Sequence, residues 1–264
     1  MKNAVRQTGR LIALLALSGL ALQLYFLLRI AMMIVIDPTS TTFQRSEAWR
    51  LLTQVDNAGW SQRWVPYASI ALPLKKAVIT SEDAGFAVHG GVEWDAIEKA
   101  WDKNQRAESQ AEKLNERLER LRSKAGATKV DAPTAQRPPV VPKIVGGSTI
   151  TQQLAKNLFL GPERNIVRKA QEFVITFMLE AMLSKRRILE IYLNSVEWGE
   201  GVFGAEAAAH NYFRIPAAQL APWQAARLAV MLPAPKRFEK RPGSSYVVSR
   251  AATVAARMGA VDVP

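Results

Sequence analysis

Residues 146–159 read GGSTITQQLAKNLF, and most of the fold follows from how this stretch is taken. Paired glycines let a backbone approach a ligand or a neighbour closely. Ser148 then stands where a helix cap belongs, and Ile150, Leu154 and Leu158 recur at helical spacing. The same pattern continues outward toward the C-terminus. A second helix is expected from about Ile166 to Leu183. Ser184 can cap KRRILEIYLN. Gly199, Gly201 and Gly204 break the chain before AEAAAHNYF. Pro222 suits a first helical turn ahead of WQAARLAVML, with Pro233 and Pro235 ending it. Ser244 or Ser245 can cap a last helix to Met258. No convincing strand alternation and no repeat of 20–50 residues interrupts this order. The chain reads as mainly α.

Outward toward the N-terminus, residues 103–143 hold a charged helix and a proline run. Helical character starts near Ala96, and Leu114, Leu118 and Leu121 share one face among Glu, Lys and Arg. Two readings of that helix stay open, a short coiled-coil arm and a solvated helix with one apolar stripe. Pro133, Pro138, Pro139 and Pro142 then mark an extended loop. Earlier still, Trp49, Trp60, Trp64 and Tyr67 are scattered as membrane-interface aromatics or core aromatics would be. Residues 37–46, with Pro38 and a Ser/Thr cluster, read as a linker.

The first 36 residues are different in kind. LIALLALSGLALQLYFLL, residues 11–28, carries no charge. Arg29 interrupts, and IAMMIVI runs on to Ile36. About 20 apolar residues cross a bilayer core as a helix. Arg29 lies near enough to one end to reach head groups. Lys2, Arg6 and Arg10 precede the run, which keeps the N-terminus cytoplasmic by the positive-inside rule. A cleaved signal peptide has a shorter apolar core and a small-residue cleavage site, and neither is met here.

Composition narrows the chemistry. The chain of 264 residues has a formal charge of +12, so anionic partners are expected. Export past an anchor turns that expectation from nucleic acid toward lipid head groups and phosphorylated lipids. Cysteine is absent, which excludes disulfides and thiolate catalysis, and two histidines cannot build a histidine-rich metal site.

Three clusters hold chemistry. Residues 81–91, SEDAGFAVHGG, set Glu82 and Asp83 ahead of His89, a source of a tuned acid or base. Solvated or capping carboxylates would look the same. Residues 146–157 pair a glycine-led helix N-terminus, where backbone amides favour anions, with Gln152, Gln153, Lys156 and Asn157 further along the helix. Residues 164–172, RNIVRKAQE, set Arg164, Arg168 and Lys169 near Glu172. A surface face with an Arg168–Glu172 pair is the plain reading. A clamp for a departing diphosphate is the functional one.

Together and in this order the clusters resemble glycosyltransferase family 51, the peptidoglycan glycosyltransferases. The motif E-D-x-x-F-x-x-H-x-G is met by Glu82, Asp83, Phe86, His89 and Gly90. G-x-S-T-x-x-Q-Q-x-x-K-N is met by Gly146, Ser148, Thr149, Gln152, Gln153, Lys156 and Asn157. R-K-x-x-E is Arg168, Lys169 and Glu172. The fourth and fifth motifs resemble residues 186–213 and AARLAVMLPAP, residues 225–235. The likeness covers residues 65–258. Residues 103–143 depart from it, being longer than the family's usual link between its first two motifs. No Ser-x-x-Lys motif of a penicillin-binding transpeptidase is present, so the resemblance is to the monofunctional form.

The resemblance implies a lysozyme-like helical domain with a smaller membrane-facing lobe, behind one transmembrane helix. It divides the chain into a cytoplasmic tail (1–10), an anchor (11–36), a juxtamembrane stretch (37–64), the glycosyltransferase domain (65–258) and a tail (259–264). Location in a bacterial inner membrane with the domain outside follows. The implied reaction joins a growing lipid-linked strand to lipid II. Glu82 is the implied base on the acceptor GlcNAc 4-hydroxyl. Lys156, Arg164, Arg168 and Lys169 are the implied holders of the diphosphate, with Glu172 orienting these cations or a divalent ion. Ser148, Thr149, Gln152, Gln153 and Asn157 would position substrate, and Asp83, Phe86 and His89 would shape the site around Glu82. No cofactor is required by the sequence, and Mg or Mn stays open. Partners are lipid II, the membrane and other cell-wall synthesis proteins, with no nucleic acid. A lytic glycan-cleaving enzyme and a non-enzymatic scaffold are the rival readings.

Overall fold

The computed structural model describes residues 2–55, 59–128, 139–141, 146–161, 163 and 165–264. They form two units, residues 1–92 with 149–264, and residues 93–148. Helices dominate both, as the sequence pattern predicts.

The larger unit begins with helix α1, Lys2–Met32, followed by α2, Thr42–Gln54. Arg6–Met32 of α1 is long and apolar enough to cross a membrane. At 1.5 Å per residue its 27 residues reach about 40 Å, more than a hydrocarbon core. Leu11, Leu14, Leu15, Leu17 and Leu20 all point outward. A helix that exposes so many leucines needs an apolar solvent around it. Arg29 stacks over Tyr25, with its guanidinium 5.9 Å from the ring centroid.

Among the described residues of α1, the buried ones lie at its far end. Phe26 meets Phe159 edge-on at 5.2 Å, and Ile30 and Met33 are buried. Gln23 and Gln171 exchange amide hydrogen bonds of 2.8 and 3.0 Å. Arg187 donates to the carbonyls of Met33 and Ile36 and pairs with Asp37 at 2.8 Å. Carbonyls left over at a helix end are natural acceptors for such a cation.

Helix α3, Leu72–Glu82, starts with Pro73 in its first turn, where the missing N–H costs nothing. It buries Leu74, Ala77, Val78 and Ile79. It packs on α9, Pro222–Met231, and α10, Ser245–Arg257. Ala225, Ala226 and Ala229 keep the α9 side thin, so the two helices approach closely. Ser184 and Ser244 cap their helices as expected. The cap of α5, Ile150–Phe159, falls on Thr149, one residue later than the sequence suggests. Thr149 wins because its hydroxyl and the Gln152 side chain close a reciprocal capping box. Helix α6 is Ile166–Met182, α7 is Lys185–Ser195 and α8 is Ala205–Phe213.

One sheet escaped the sequence reading. Strands β1, Ser61–Gln62, β2, Glu197–Gly199, and β3, Val202–Phe203, lie in the order β1-β3-β2. They are too short for alternation to register. Gly204 leaves this sheet at φ +84, and a Cβ there would meet the Asn194 carbonyl at 2.8 Å. Only glycine suits both conditions. The scattered aromatics divide. Tyr67 is buried and Trp64 packs on the core, whereas Trp49 is 69% exposed and Trp60 44%.

In the smaller unit α4 runs from Trp94 to Thr128. Asn115 brackets the Val140 backbone with bonds of 3.0 and 2.7 Å. Gly147 sits against α4, where a Cβ would lie 3.1 Å from the Ala96 carbonyl. Of the expected leucine stripe, Leu118 is buried while Leu114 and Leu121 stay exposed. Pro133, Pro138 and Pro142 lie outside the described residues.

Candidate active site

Glu82 is the last residue of α3. Asp83 follows with non-helical backbone, φ −164 and ψ 76, ends the helix and is buried. It does two things at once. Its Oδ1 is 2.7 Å from His89 Nε2, and its Oδ2 accepts the Ile150 amide at 2.9 Å. His89 Nδ1 accepts the Gly91 amide at 3.0 Å, so Nε2 is the nitrogen left to donate to Asp83. Asp83 thereby ties the 81–91 turn to the N-terminus of α5, where a carboxylate is favoured. Phe86 is buried beside His89, with rings edge-on at 6.4 Å, and Lys185 lies 4.6 Å above it.

Thr149 donates to the Gly91 carbonyl at 2.6 Å, a second tie between the same segments. Gly91 has φ +88, and a Cβ there would meet Glu180 at 2.7 Å. Glycine is thus required twice at one position. Glu180 in turn accepts from Thr151 at 2.5 Å and pairs with Lys185 at 2.8 Å.

The neighbouring glutamines have separate surroundings. Gln152 is buried, its carbonyl accepting the Thr149 amide at 3.0 Å. Its Nε2 has no hydrogen-bond partner among the described residues. Gln153 turns to Glu82 and donates to its Oε2 at 3.0 Å. Burial pushes the Glu82 carboxyl above the ordinary range, and Asp83 adds to this, while Gln153 and Ser81 pull the other way. A carboxylate that is desolvated and held by a neutral donor is a stronger base than one on the surface.

On α6 the arrangement is ionic. Asn165 caps the helix through the Arg168 amide at 2.7 Å. Glu172 is buried and gives one oxygen to Arg168 at 2.9 Å and the other to Lys169 at 2.5 Å. Lys169 also lies 5.1 Å over Phe173. Lys156 is exposed on α5, which packs on α6, and Asn157 is buried on the same helix. Arg164 lies outside the described residues. Ser148 belongs to the smaller unit.

The transglycosylase family model matches residues 50–112 and 140–259, leaving residues 113–139 unmatched. The chain belongs to the transglycosylase family. The matched range takes in all three clusters that hold the carboxylates and cations above. Among relatives, a biosynthetic peptidoglycan transglycosylase of Burkholderia pseudomallei is 50% identical over 93% of this chain and 83% of its own length. One of Burkholderia multivorans is 47% identical over 96% of this chain and 89% of its own. One of Burkholderia thailandensis is 49% identical over 93% and 83%.

Sequence reasoning missed three polar members of this transglycosylase's site region. They are Tyr192, Thr151 and Glu180, which bond directly to, or pack against, the motif residues. Tyr192 offered a signal, since a tyrosine on the apolar face of α7 needs a partner for its hydroxyl.

Proposed function

We propose that the chain polymerises peptidoglycan glycan strands from lipid II. The observation that carries this is the division between two carboxylates. Glu82 is desolvated and bonded to a neutral amide, whereas Glu172 is bound to two cations. The acceptor GlcNAc 4-hydroxyl loses its proton to the Glu82 carboxylate as its oxygen attacks the anomeric carbon of the donor MurNAc. The bond from that carbon to the diphosphate breaks, and undecaprenyl diphosphate leaves with the electron pair. Attack opposite the leaving group inverts the centre and gives a β-1,4 linkage.

Arg168 and Lys169, with Lys156 and Arg164, hold the diphosphate, whose charge grows as the bond breaks. Glu172 keeps Arg168 and Lys169 in fixed positions. Both of its oxygens accept from these cations, and the proposed step uses no divalent ion. Thr149 and the buried Gln152 and Asn157 shape the α5 end of the site, and Gln153 orients the base. Asp83, His89 and Phe86 keep the turn behind Glu82 rigid.

Helix α1 anchors the enzyme in the bacterial inner membrane, its basic end cytoplasmic and the catalytic domain outside. Anchoring raises the effective concentration of lipid substrates at the site. Incubating the detergent-solubilised full chain with labelled lipid II tests the proposal. Long polymer that lysozyme digests is the expected product. Folded protein that makes no polymer but shortens added glycan strands overturns it in favour of a lytic enzyme.

A further inference from the structure

Tyr192 sits on α7 with no exposed surface, and its hydroxyl donates to Gln153 Oε1 at 2.9 Å. The same amide presents Nε2 to Glu82 at 3.0 Å. A side-chain amide has one acceptor end and one donor end. Once the phenol occupies the acceptor end, only the donor end is left for the carboxylate. A flipped amide would set its oxygen against the carboxylate and leave the phenol facing an NH₂ group, so both contacts would fail together. Burial, with the charges of Glu82 and Asp83, holds the phenol protonated well above its usual range, so it stays a donor.

We propose that Tyr192 is a positioning residue for the reaction, acting through Gln153 to aim an N–H at the base. This rests on Glu82 being that base. The titratable groups acting on Glu82 are Asp83 beside it and Tyr192 from α7, with His89 behind Asp83. The Gln153 amide is the principal contact from another element that favours the ionised carboxylate. Removing it raises the pH at which Glu82 loses its proton.

The test is the pH profile of lipid II polymerisation, as kcat/KM, for the wild type, Tyr192→Phe, Gln153→Met and the double variant. Gln153→Met moves the acid limb up by about one pH unit, about tenfold less activity below the limb. Tyr192→Phe moves it the same way by about half a unit. The double variant matches Gln153→Met alone, because the phenol acts through the amide. Limbs that do not move overturn the proposal. So does a Tyr192→Phe loss that persists at every pH or adds fully to Gln153→Met, which is the behaviour of a packing residue. If Tyr192→Phe does not fold, an unmoved Gln153→Met limb still overturns the proposal, since Tyr192 is intact there. A Glu82→Gln control separates the two ideas. Retained polymerisation in that control removes the base assignment itself, whereas a dead control with unmoved limbs removes only the Tyr192–Gln153 contact to it.

Discussion

Glu82 closes α3 with a neutral amide on one oxygen, while Glu172, in the second turn of α6, holds Arg168 and Lys169 on its two. Both side chains are largely withdrawn from water. The first is a charge whose ionisation burial resists, and the second is a charge paired with two cations. A base needs the former, because a carboxylate that burial makes costly to ionise takes up a proton more readily. A clamp needs the latter, because cations held in place do not reorganise when a diphosphate leaves.

The comparison breaks most sharply at Glu82. Glu82→Gln should lower polymerisation by about a thousandfold with the fold retained. Near-normal polymer yield from the folded variant would end its role as base. Glu172→Gln should lower the rate by about a hundredfold. It should also lower stability by about 2–3 kcal/mol, below the value for a wholly buried pair because Lys169 is partly exposed. Denaturant unfolding beside the polymer assay would read both effects, and a rate loss without any stability loss would detach Glu172 from its cations. Lys156→Ala should reduce kcat/KM by about tenfold, visible at low lipid II. An unchanged rate there would remove Lys156 from the clamp.

The smallest effect concerns pH and stability. Glu197, on β2, is a second resisted carboxylate, pushed up to about 7 by burial although Lys236 opposes the shift. A carboxyl raised in the folded state binds its proton more tightly there than in the unfolded chain. Its stabilising contribution is full below the ordinary value of 4.5 and is lost as pH rises through about 7. Glu197→Gln should therefore be more stable than the wild type at pH 8, by about 1 kcal/mol, with the gap closing by pH 5. Thermal melts at the two values would show it, and an equal gap at both would mean that Glu197 is not the group titrating.

The helical class was legible before any coordinates, because Ser184, Pro222 and Ser244 punctuate strongly periodic runs. The clusters around Glu82, Gln153 and Glu172 were legible too, through their order along the chain. The sheet was not, since strands of two or three residues carry no period. Trp49 and Tyr67 could not be sorted by composition, because exposure depends on what packs above each ring.

Sequence by itself determined which residues are on hand, which segments are helical and that the first helix needs an apolar surrounding. Those properties depend on neighbours within a few turns. Only the tertiary structure decided that Gln152 closes a cap while Gln153 meets the base. Adjacent positions on a helix point about 100° apart, and nothing local says which direction will hold α3 and α7. The same holds for Tyr192, whose single hydroxyl matters because packing of α7 on α5 brings it to one end of one amide.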